Sequence, residues 1–307
     1  MPKRCYRTKK FQAKSLAIID WANKIIERYD AQGLVLTLRQ LYYQFVARDL
    51  IPNNLRAYKR LSGIVNDARY AGLIDWDHII DRTRVLRGNP HWDDPEGIIY
   101  AAVSSYAIDK WAWQDVRPEV WIEKDALIGV IEDICGNLDV SYFACRGYNS
   151  GSVMYSAAQR LVSHYRNGQV PVIIHLGDHD PSGTDMSRDV TARLEEIMKA
   201  EGCPHTEVRR IALNMEQIET YRLPPNLAKD NDTRTKGYTE RFGNSSWELD
   251  ALKPSVLVSL IENTVLSYRD DRRWNEAVAL EAQQRAELRE AAKRWDDVTR
   301  YLNGGAR

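Results

Sequence analysis

Two short β-branched runs in this chain end in carboxylates, and each is followed at once by a helical pattern. Val170 to Leu176 is apolar apart from Pro171 and His175, has about the length of one strand, and is closed by Gly177. Asp178-His179-Asp180-Pro181-Ser182-Gly183 follows, and then a polar–apolar run of helical period from Thr184 to Lys199. The other run ends in Val120-Trp121-Ile122-Glu123-Lys124, before a helical stretch from Asp125 to Ile134. Strands and helices in this order build an open α/β sheet, whose adjacent parallel strands converge at their carboxyl ends on one crevice. A single acid at a strand end is an ordinary loop residue or helix cap. Glu123, Asp178 and Asp180 delivered to one crevice would need neutralising, and Mg²⁺ suits them, because it takes hard oxygen ligands and keeps waters for phosphates.

At 307 residues the chain has room for two or three domains. No apolar run approaches membrane-spanning length, and the N-terminus lacks a hydrophobic signal core. Cys5, Cys135, Cys145 and Cys203 form no Cys-x-x-Cys pair and no His/Cys cluster of zinc spacing, so a reduced, cytoplasmic protein is expected. The net charge is zero, but residues 1–87 hold 17 Lys/Arg against 8 Asp/Glu, about +9, which leaves about −9 for the rest. A basic first domain and an acidic second one suit a DNA enzyme, since phosphate binding needs local positive charge. A merely solvated basic face is the alternative.

Within the basic segment, Phe11 to Tyr29 reads as an amphipathic helix, with Leu16, Ile19, Ala22, Ile26 and Tyr29 near helical spacing and Gly33 ending it. Thr37 can cap a second helix, Leu38 to Arg48, and Asn53 or Asn54 a third, Leu55 to Ala71. Leu73 to Ile80 is short and β-rich enough for a wing. Three helices and a wing make the winged-helix variant of helix-turn-helix, and Arg56, Lys59, Arg60 and Arg69 on the third helix are candidates for contacting a DNA groove. On the second helix, Leu38, Leu41, Tyr42, Phe45 and Val46 form one stripe, so Tyr42 is a core aromatic. Tyr43 lies about 100° further round and points off the stripe, on a face shared with Arg39 four residues earlier. A tyrosine beside an arginine could be a nucleophile with a phosphate clamp; it could equally be a boundary aromatic.

The spacing from Glu123 to Asp178-His179-Asp180-Pro181-Ser182-Gly183 resembles the Toprim domain shared by topoisomerases, primases and certain nucleases. The Asp178–Gly183 stretch is similar to Asp-Gly-Asp-Pro-Tyr-Gly of the topoisomerase VI A subunit, and Cys145-Arg146-Gly147-Tyr148-Asn149-Ser150 to that family's Gly-Lys-Gly-Tyr-Pro-Asp turn. Leu38-Arg39-Gln40-Leu41-Tyr42-Tyr43 resembles the Lys-Arg-Asp-Ile-Tyr-Tyr motif of the same subunit and of the meiotic double-strand-break transesterase, with Gln40 where the family has aspartate. Trp247-Glu248-Leu249-Asp250-Ala251-Leu252 is similar to a segment near the end of the A subunits. The resemblance implies an α/β multidomain chain: an N-terminal winged-helix (CAP-like) domain, a Rossmann-like Toprim α/β domain and a C-terminal helical extension. Boundaries are expected at 1–87, 88–115 (linker and helix), 116–225 and 226–307. It further implies that Tyr43 attacks the DNA backbone to leave a 5′-phosphotyrosyl link, with Glu123, Asp178 and Asp180 holding Mg²⁺ and Arg39, Lys124 and Arg146 contacting phosphates. The family's homodimer sets the tyrosine of one protomer against the metal site of the other.

Turn-rich residues 87–97 mark the linker, and Ile98 to Gln114 reads as a helix whose Trp111 and Trp113 are packing residues. Val208 to Ile211 is expected to be the last sheet strand, Pro224-Pro225 a break, and Lys229 to Lys236 a polar loop. Two helices follow Pro254, the last from Arg273 to Leu302 without a sustained heptad seam. No Gly-x-x-x-x-Gly-Lys-Ser/Thr loop is present, so ATP-coupled strand passage would need a separate ATPase partner. Double-stranded DNA is the expected partner and the nucleoid the expected location. Two other readings remain open: a Toprim nuclease that activates water, with Tyr43 structural, and a non-catalytic DNA-binding subunit.

Overall fold

The computed structural model describes residues 3–79, 89–145, 149–203, 206–227 and 235–304. Arg146, Ile80 at the end of the expected wing, and most of the expected 229–236 loop lie outside the described residues. In chain order the main elements are α1 (Ala13–Asp30), α2 (Leu38–Val46), α3 (Leu55–Tyr70), α4 (Pro95–Ser105), β1 (Val116–Ile122), α5 (Ile128–Asn137), β2 (Ser141–Ala144), α6 (Gly151–Arg166), β3 (Val170–Leu176), α7 (Pro181–Ala200) and β4 (Glu207–Ala212). They continue with α8 (Met215–Tyr221), β5 (Asn226–Leu227), α9 (Thr235–Phe242), β6 (Ser245–Ser246), α10 (Pro254–Leu266), α11 (Asp271–Lys293) and α12 (Trp295–Leu302). The chain divides into two compact units, one of residues 1–84 with 118–267 and one of residues 85–117 with 268–307. Among the described residues no helix is long and apolar enough to cross a membrane.

The larger unit is built on a four-stranded parallel sheet of order β2-β1-β3-β4. Its centre is the pair β1 and β3, where the strand order reverses, so their carboxyl ends form the crevice of an open α/β sheet. Helices cover both faces, which is why β3 reads as an almost unbroken apolar run rather than an alternating one. One core layer packs Trp121 and Ile173 against Met154, Leu161, Met186 and Leu194 of α6 and α7. The Trp121 indole N–H donates to the buried Glu119 carboxylate (3.0 Å), which also accepts from Arg160 (3.0 Å). All four cysteines are free.

The first three helices form as the spacing predicts, for local reasons. Thr37 and Gln40 close a reciprocal capping box on α2, and the Asn54 side chain caps α3 by accepting from the Ala57 N–H (2.9 Å). Leu16 departs from the expected stripe and is 48% exposed, Ile25 taking its place in the buried set. The expected wing strand is absent among the described residues: Leu73 and Ile74 donate to Ala68 O to finish α3, and only Leu36 and Ile79 form an isolated bridge. The Leu73 and Ile74 donors are spent on closing the helix, and the Asp77 N–H on the Asp75 side chain, which takes these donors from a ladder. Arg69 turns inward to donate to the carbonyls of Trp76 and Ile79 (2.6 and 2.7 Å) and stack on Trp76, which removes it from the groove-contacting set.

In the smaller unit α4 is shorter than expected and starts earlier, at Pro95 with Asp94 as its cap, and it ends at Ser105 where Tyr106 is extended. Asp109 accepts from the Trp111 N–H (3.0 Å) and pairs with Arg117, a turn that replaces the expected helix over 106–114. Trp111 is buried but Trp113 is 47% exposed and does not serve as a packing residue. The expected final helix is two, α11 and α12, broken at Arg294.

His175 is the polar exception in β3, fully buried, with Nδ1 2.9 Å from Ser187 Oγ and Nε2 without a partner. Burial, and next the Arg210 charge, push its pKa from 6.5 down to about 3. The folded chain therefore refuses a proton that the unfolded chain accepts between those values. The stability this group contributes is intact above about pH 6.5 and is lost as pH falls toward 3, by about 1.4 kcal/mol per pH unit. His175→Gln should flatten the fall in unfolding free energy between pH 6 and 4, measured in urea, by about one proton's worth of slope; an unchanged slope would assign it to other groups.

Candidate functional site

Glu123 and Lys124 leave the end of β1, while Gly177 to Asp180 leave the end of β3, so the two loops lie side by side. The Glu123 carboxylate accepts from the Asp178 N–H (2.8 Å), which ties the strand ends together. Asp180 is the N-cap of α7 and accepts from the Gly183 N–H (2.6 Å). A Cβ at Gly183 would stand 2.3 Å from Asp178 O and 3.0 Å from a Glu123 oxygen, so only glycine lets the helix start this close to the acids. Arg210 on β4 binds the turn from below, donating to the carbonyls of Gly177 (3.0 Å), Asp178 (2.7 Å) and Gly183 (3.0 Å).

A distant segment completes the site. His179 and Trp247 exchange two backbone hydrogen bonds (2.8 and 2.9 Å), which lays residues 245–250 along the end of β3. The Leu249 N–H then donates to Asp178 Oδ1 (2.7 Å). The His179 ring is boxed by Tyr238, Phe242 and Trp247, with Tyr238 Oη 2.7 Å from Nδ1. This places Glu248 and Asp250 beside Lys124, whose ammonium lies 3.0 Å from Asp178, 3.0 Å from Glu248 and 3.1 Å from Asp250. Arg39 from α2 grips Glu248 with two nitrogens, Nε to Oε2 at 2.9 Å and Nη2 to Oε1 at 2.5 Å, and Nε is 3.3 Å from Asp250.

The charges distort one another. Burial, with the nearby Glu123 charge, pushes Asp178 up to about 7 even though Lys124 opposes the shift. Burial likewise raises Glu123. Burial would lower the Lys124 ammonium, but Asp250, Asp178 and Glu248 outweigh it and raise it. Burial would raise Glu248, yet Lys124 and Arg39 hold it below the ordinary carboxylate range.

Tyr43 lies off the Leu41–Tyr42–Phe45 stripe, but it does not point to solvent: it is 3% exposed. The helix is buried nearly all round, because the 3₁₀ turn Leu249–Ala251 packs on the side that the apolar stripe leaves free. Tyr43 Oη accepts from Asn226 Nδ2 (3.3 Å), Asn226 Oδ1 accepts from Asn53 (2.7 Å), and Asn53 Oδ1 accepts from Tyr42 Oη (2.9 Å). Burial, and next the Glu248 charge, push the Tyr43 phenol up to about 12. Tyr42 is a core aromatic as expected, edge-on to Tyr43 and Tyr58, though its hydroxyl is bonded.

Arg39, Tyr43, Lys124, Asp178, Asp180, Glu248 and Asp250 line one cleft of about 850 Å³, while Glu123 and Arg210 are not among its walls. Of the residues expected from sequence, Tyr43, Arg39, Glu123, Lys124, Asp178 and Asp180 are brought together within one chain. Arg56, Lys59 and Arg60 lie exposed on α3, whose first residues Leu55 and Tyr58 border the cleft. Sequence reasoning missed Glu248, Asp250, Asn226 and Arg210. The Trp247–Leu252 segment held a signal for the first two, and an arginine amid the apolar residues of β4 was a signal for the last.

Gly183→Ala should destabilise the chain by about 1–3 kcal/mol, since the added methyl meets backbone rather than a movable side chain. Tyr42→Phe should cost about 1–2 kcal/mol by leaving Asn53 Oδ1 without its donor. Urea unfolding of both variants checks these values. The chain matches no protein-family model and no curated protein.

Proposed function

We propose that this chain cleaves double-stranded DNA by tyrosine transesterification, as its resemblance to the topoisomerase VI A subunit implies. The observation that carries the reading is that the Tyr43 phenol, the Arg39 guanidinium and the Asp178 and Asp180 carboxylates at the end of β3 line a single cleft, with Glu123 bonded to the Asp178 N–H. Phosphoryl transfer requires a nucleophile, cations on the phosphate and a means of stabilising the leaving oxygen. In the step proposed, Tyr43 Oη forms a bond to phosphorus while the bond from phosphorus to the 3′ oxygen breaks. The phenol proton passes to a carboxylate of the cleft, and the departing 3′ oxygen takes up a proton. The phosphodiester energy is kept in the tyrosyl link, so the reverse step needs no cofactor.

The donor chemistry of the crevice fits a hard divalent cation such as Mg²⁺. Asp178, Asp180 and Glu123 supply only oxygen, and Asp250 Oδ1 is buried without a hydrogen-bond partner. Among the described residues no three acidic, His or Cys side chains form a ready-made ligand set, and Mg²⁺ is commonly held by one or two carboxylates, with waters and substrate phosphate completing the shell. Asp178, Asp180 and Glu123 are the residues that would hold it. Bound there, it would supply charge stabilisation to the phosphate oxygens. Lys124 is the resident counter-cation of Asp178, Glu248 and Asp250.

A helical DNA-binding domain and a Toprim domain are the domain reading that goes with this function, with Arg56, Lys59 and Arg60 meeting the DNA backbone. A separate ATPase subunit would be the partner for strand passage. The burial of Tyr43 and its phenol at about 12 favour a second reading, a metal-dependent nuclease that uses water.

Incubation of the full chain with supercoiled plasmid and Mg²⁺, stopped with denaturant, separates the two. Protein covalently joined to 5′ ends, abolished by Tyr43→Phe, is the expected result; free ends from Tyr43→Phe would establish the nuclease. Asp178→Asn should also abolish cleavage. Mixing the Tyr43→Phe and Asp178→Asn chains should restore nothing if each site lies within one chain, whereas nicking by the mixture would show a site shared between two.

A further inference from the structure

Two cations from different parts of the chain meet on one carboxylate at the mouth of the cleft. Glu248 Oε2 is 2.9 Å from Arg39 Nε and 3.0 Å from Lys124 Nζ, and Oε1 takes the second arm of the guanidinium at 2.5 Å. A forked guanidinium on one side and a point ammonium on the other is the arrangement with which proteins hold a phosphate. Arg39 and Lys124 are the phosphate contacts that the resemblance implies, and we infer that Glu248 is the internal occupant of the oxyanion subsite they form, displaced when a phosphodiester phosphate enters. The assignment of that phosphate to DNA rests on the function proposed above; the subsite itself does not.

The surroundings separate Glu248 from the other acids. Asp250 is fully buried and Asp178 nearly so, and both keep their contact with Lys124 from the inside. The Glu248 side chain is 24% exposed and Arg39 45% exposed, so the carboxylate they share faces the opening. The backbone beneath Glu248 is fixed by the His179–Trp247 pair and by Leu249 donating to Asp178. Rotation of the side chain alone therefore vacates the subsite, with the 245–250 segment unmoved. Lys124 would retain Asp178 and Asp250, and Arg39 would retain Asp250, so neither cation is stranded during the exchange. Glu248 thereby sets a threshold: only an anion that binds the pair better than a tethered carboxylate is admitted.

The test is DNA binding by the full chain without divalent metal, so that no cleavage intervenes. Fluorescence anisotropy with a duplex of about 30 base pairs, titrated across KCl, compares wild type with Glu248→Gln. Glu248→Gln should bind about tenfold more tightly, with the log–log salt slope steeper by about one, the change expected for one further phosphate neutralised. The gain should vanish when Arg39→Ala is added. Glu196→Gln, an exposed acid roughly 24 Å along α7 from Asp180, controls for the loss of one negative charge. Should Glu248→Gln fold poorly, Glu248→Asp keeps the charge but withdraws it by one methylene and should give a smaller gain of the same sign. A gain no larger than that of Glu196→Gln, or one that survives Arg39→Ala, overturns the exchange.

Inorganic phosphate is the second probe. It should raise the melting temperature of Glu248→Gln more than that of wild type, and not that of the Arg39→Ala, Glu248→Gln double variant. If the chain ignores DNA but phosphate behaves in this way, the subsite stands and the DNA reading falls. If phosphate stabilises all three equally, the subsite falls.

Discussion

The larger unit depends on one half-buried ammonium. Lys124 leaves the end of β1 and neutralises carboxylates from the end of β3 and from the 248–250 segment, at 3.0 to 3.1 Å. Without it Asp178 would lose its ion-pair partner and Asp250 would keep only Arg39, and removing one partner of a buried pair typically costs about 3–5 kcal/mol. The same contacts tie together the ends of β1 and β3 and the 248–250 segment. Arg39 extends the network to α2 through Glu248 and Asp250.

Each acid of the crevice has a structural task. Glu123 accepts from the Asp178 N–H, Asp178 from Leu249, and Asp180 from Gly183. The loops are thus shaped by the carboxylates they present. This couples charge to geometry: protonating or replacing an acid alters the backbone that positions its neighbours. Arg210 works in the opposite sense, filling the carbonyls of the turn with donors so that the turn's N–H groups remain for the acids.

In the proposed chemistry Tyr43 is the nucleophile, and it is held in a state suited to storage rather than to attack. Its hydroxyl accepts from Asn226 and lies in a wall from which burial and Glu248 exclude the phenolate.

The sequence by itself determined the elements and their ends, because these depend on neighbours a few residues away. The apolar run of β3, the Thr37 cap and the Asn54 cap are all short-range, and each forms where its residues indicate, whereas α7 starts at Pro181, ahead of the expected Thr184, because Asp180 caps it. The acids at the ends of β1 and β3 were legible for the same reason, since parallel strands must deliver them to one edge. The wing over 73–80 and the helix over 106–114 were misread where side chains and turns captured the backbone donors. Only the tertiary structure decided what surrounds those acids. Arg39 and Glu248 lie 209 residues apart, and Lys124 and Asp250 lie 126 apart. The burial of Tyr43 likewise depends on the Leu249–Ala251 turn packing against α2. Helical periodicity tells which residues share a face, but not whether a second surface will cover the face opposite.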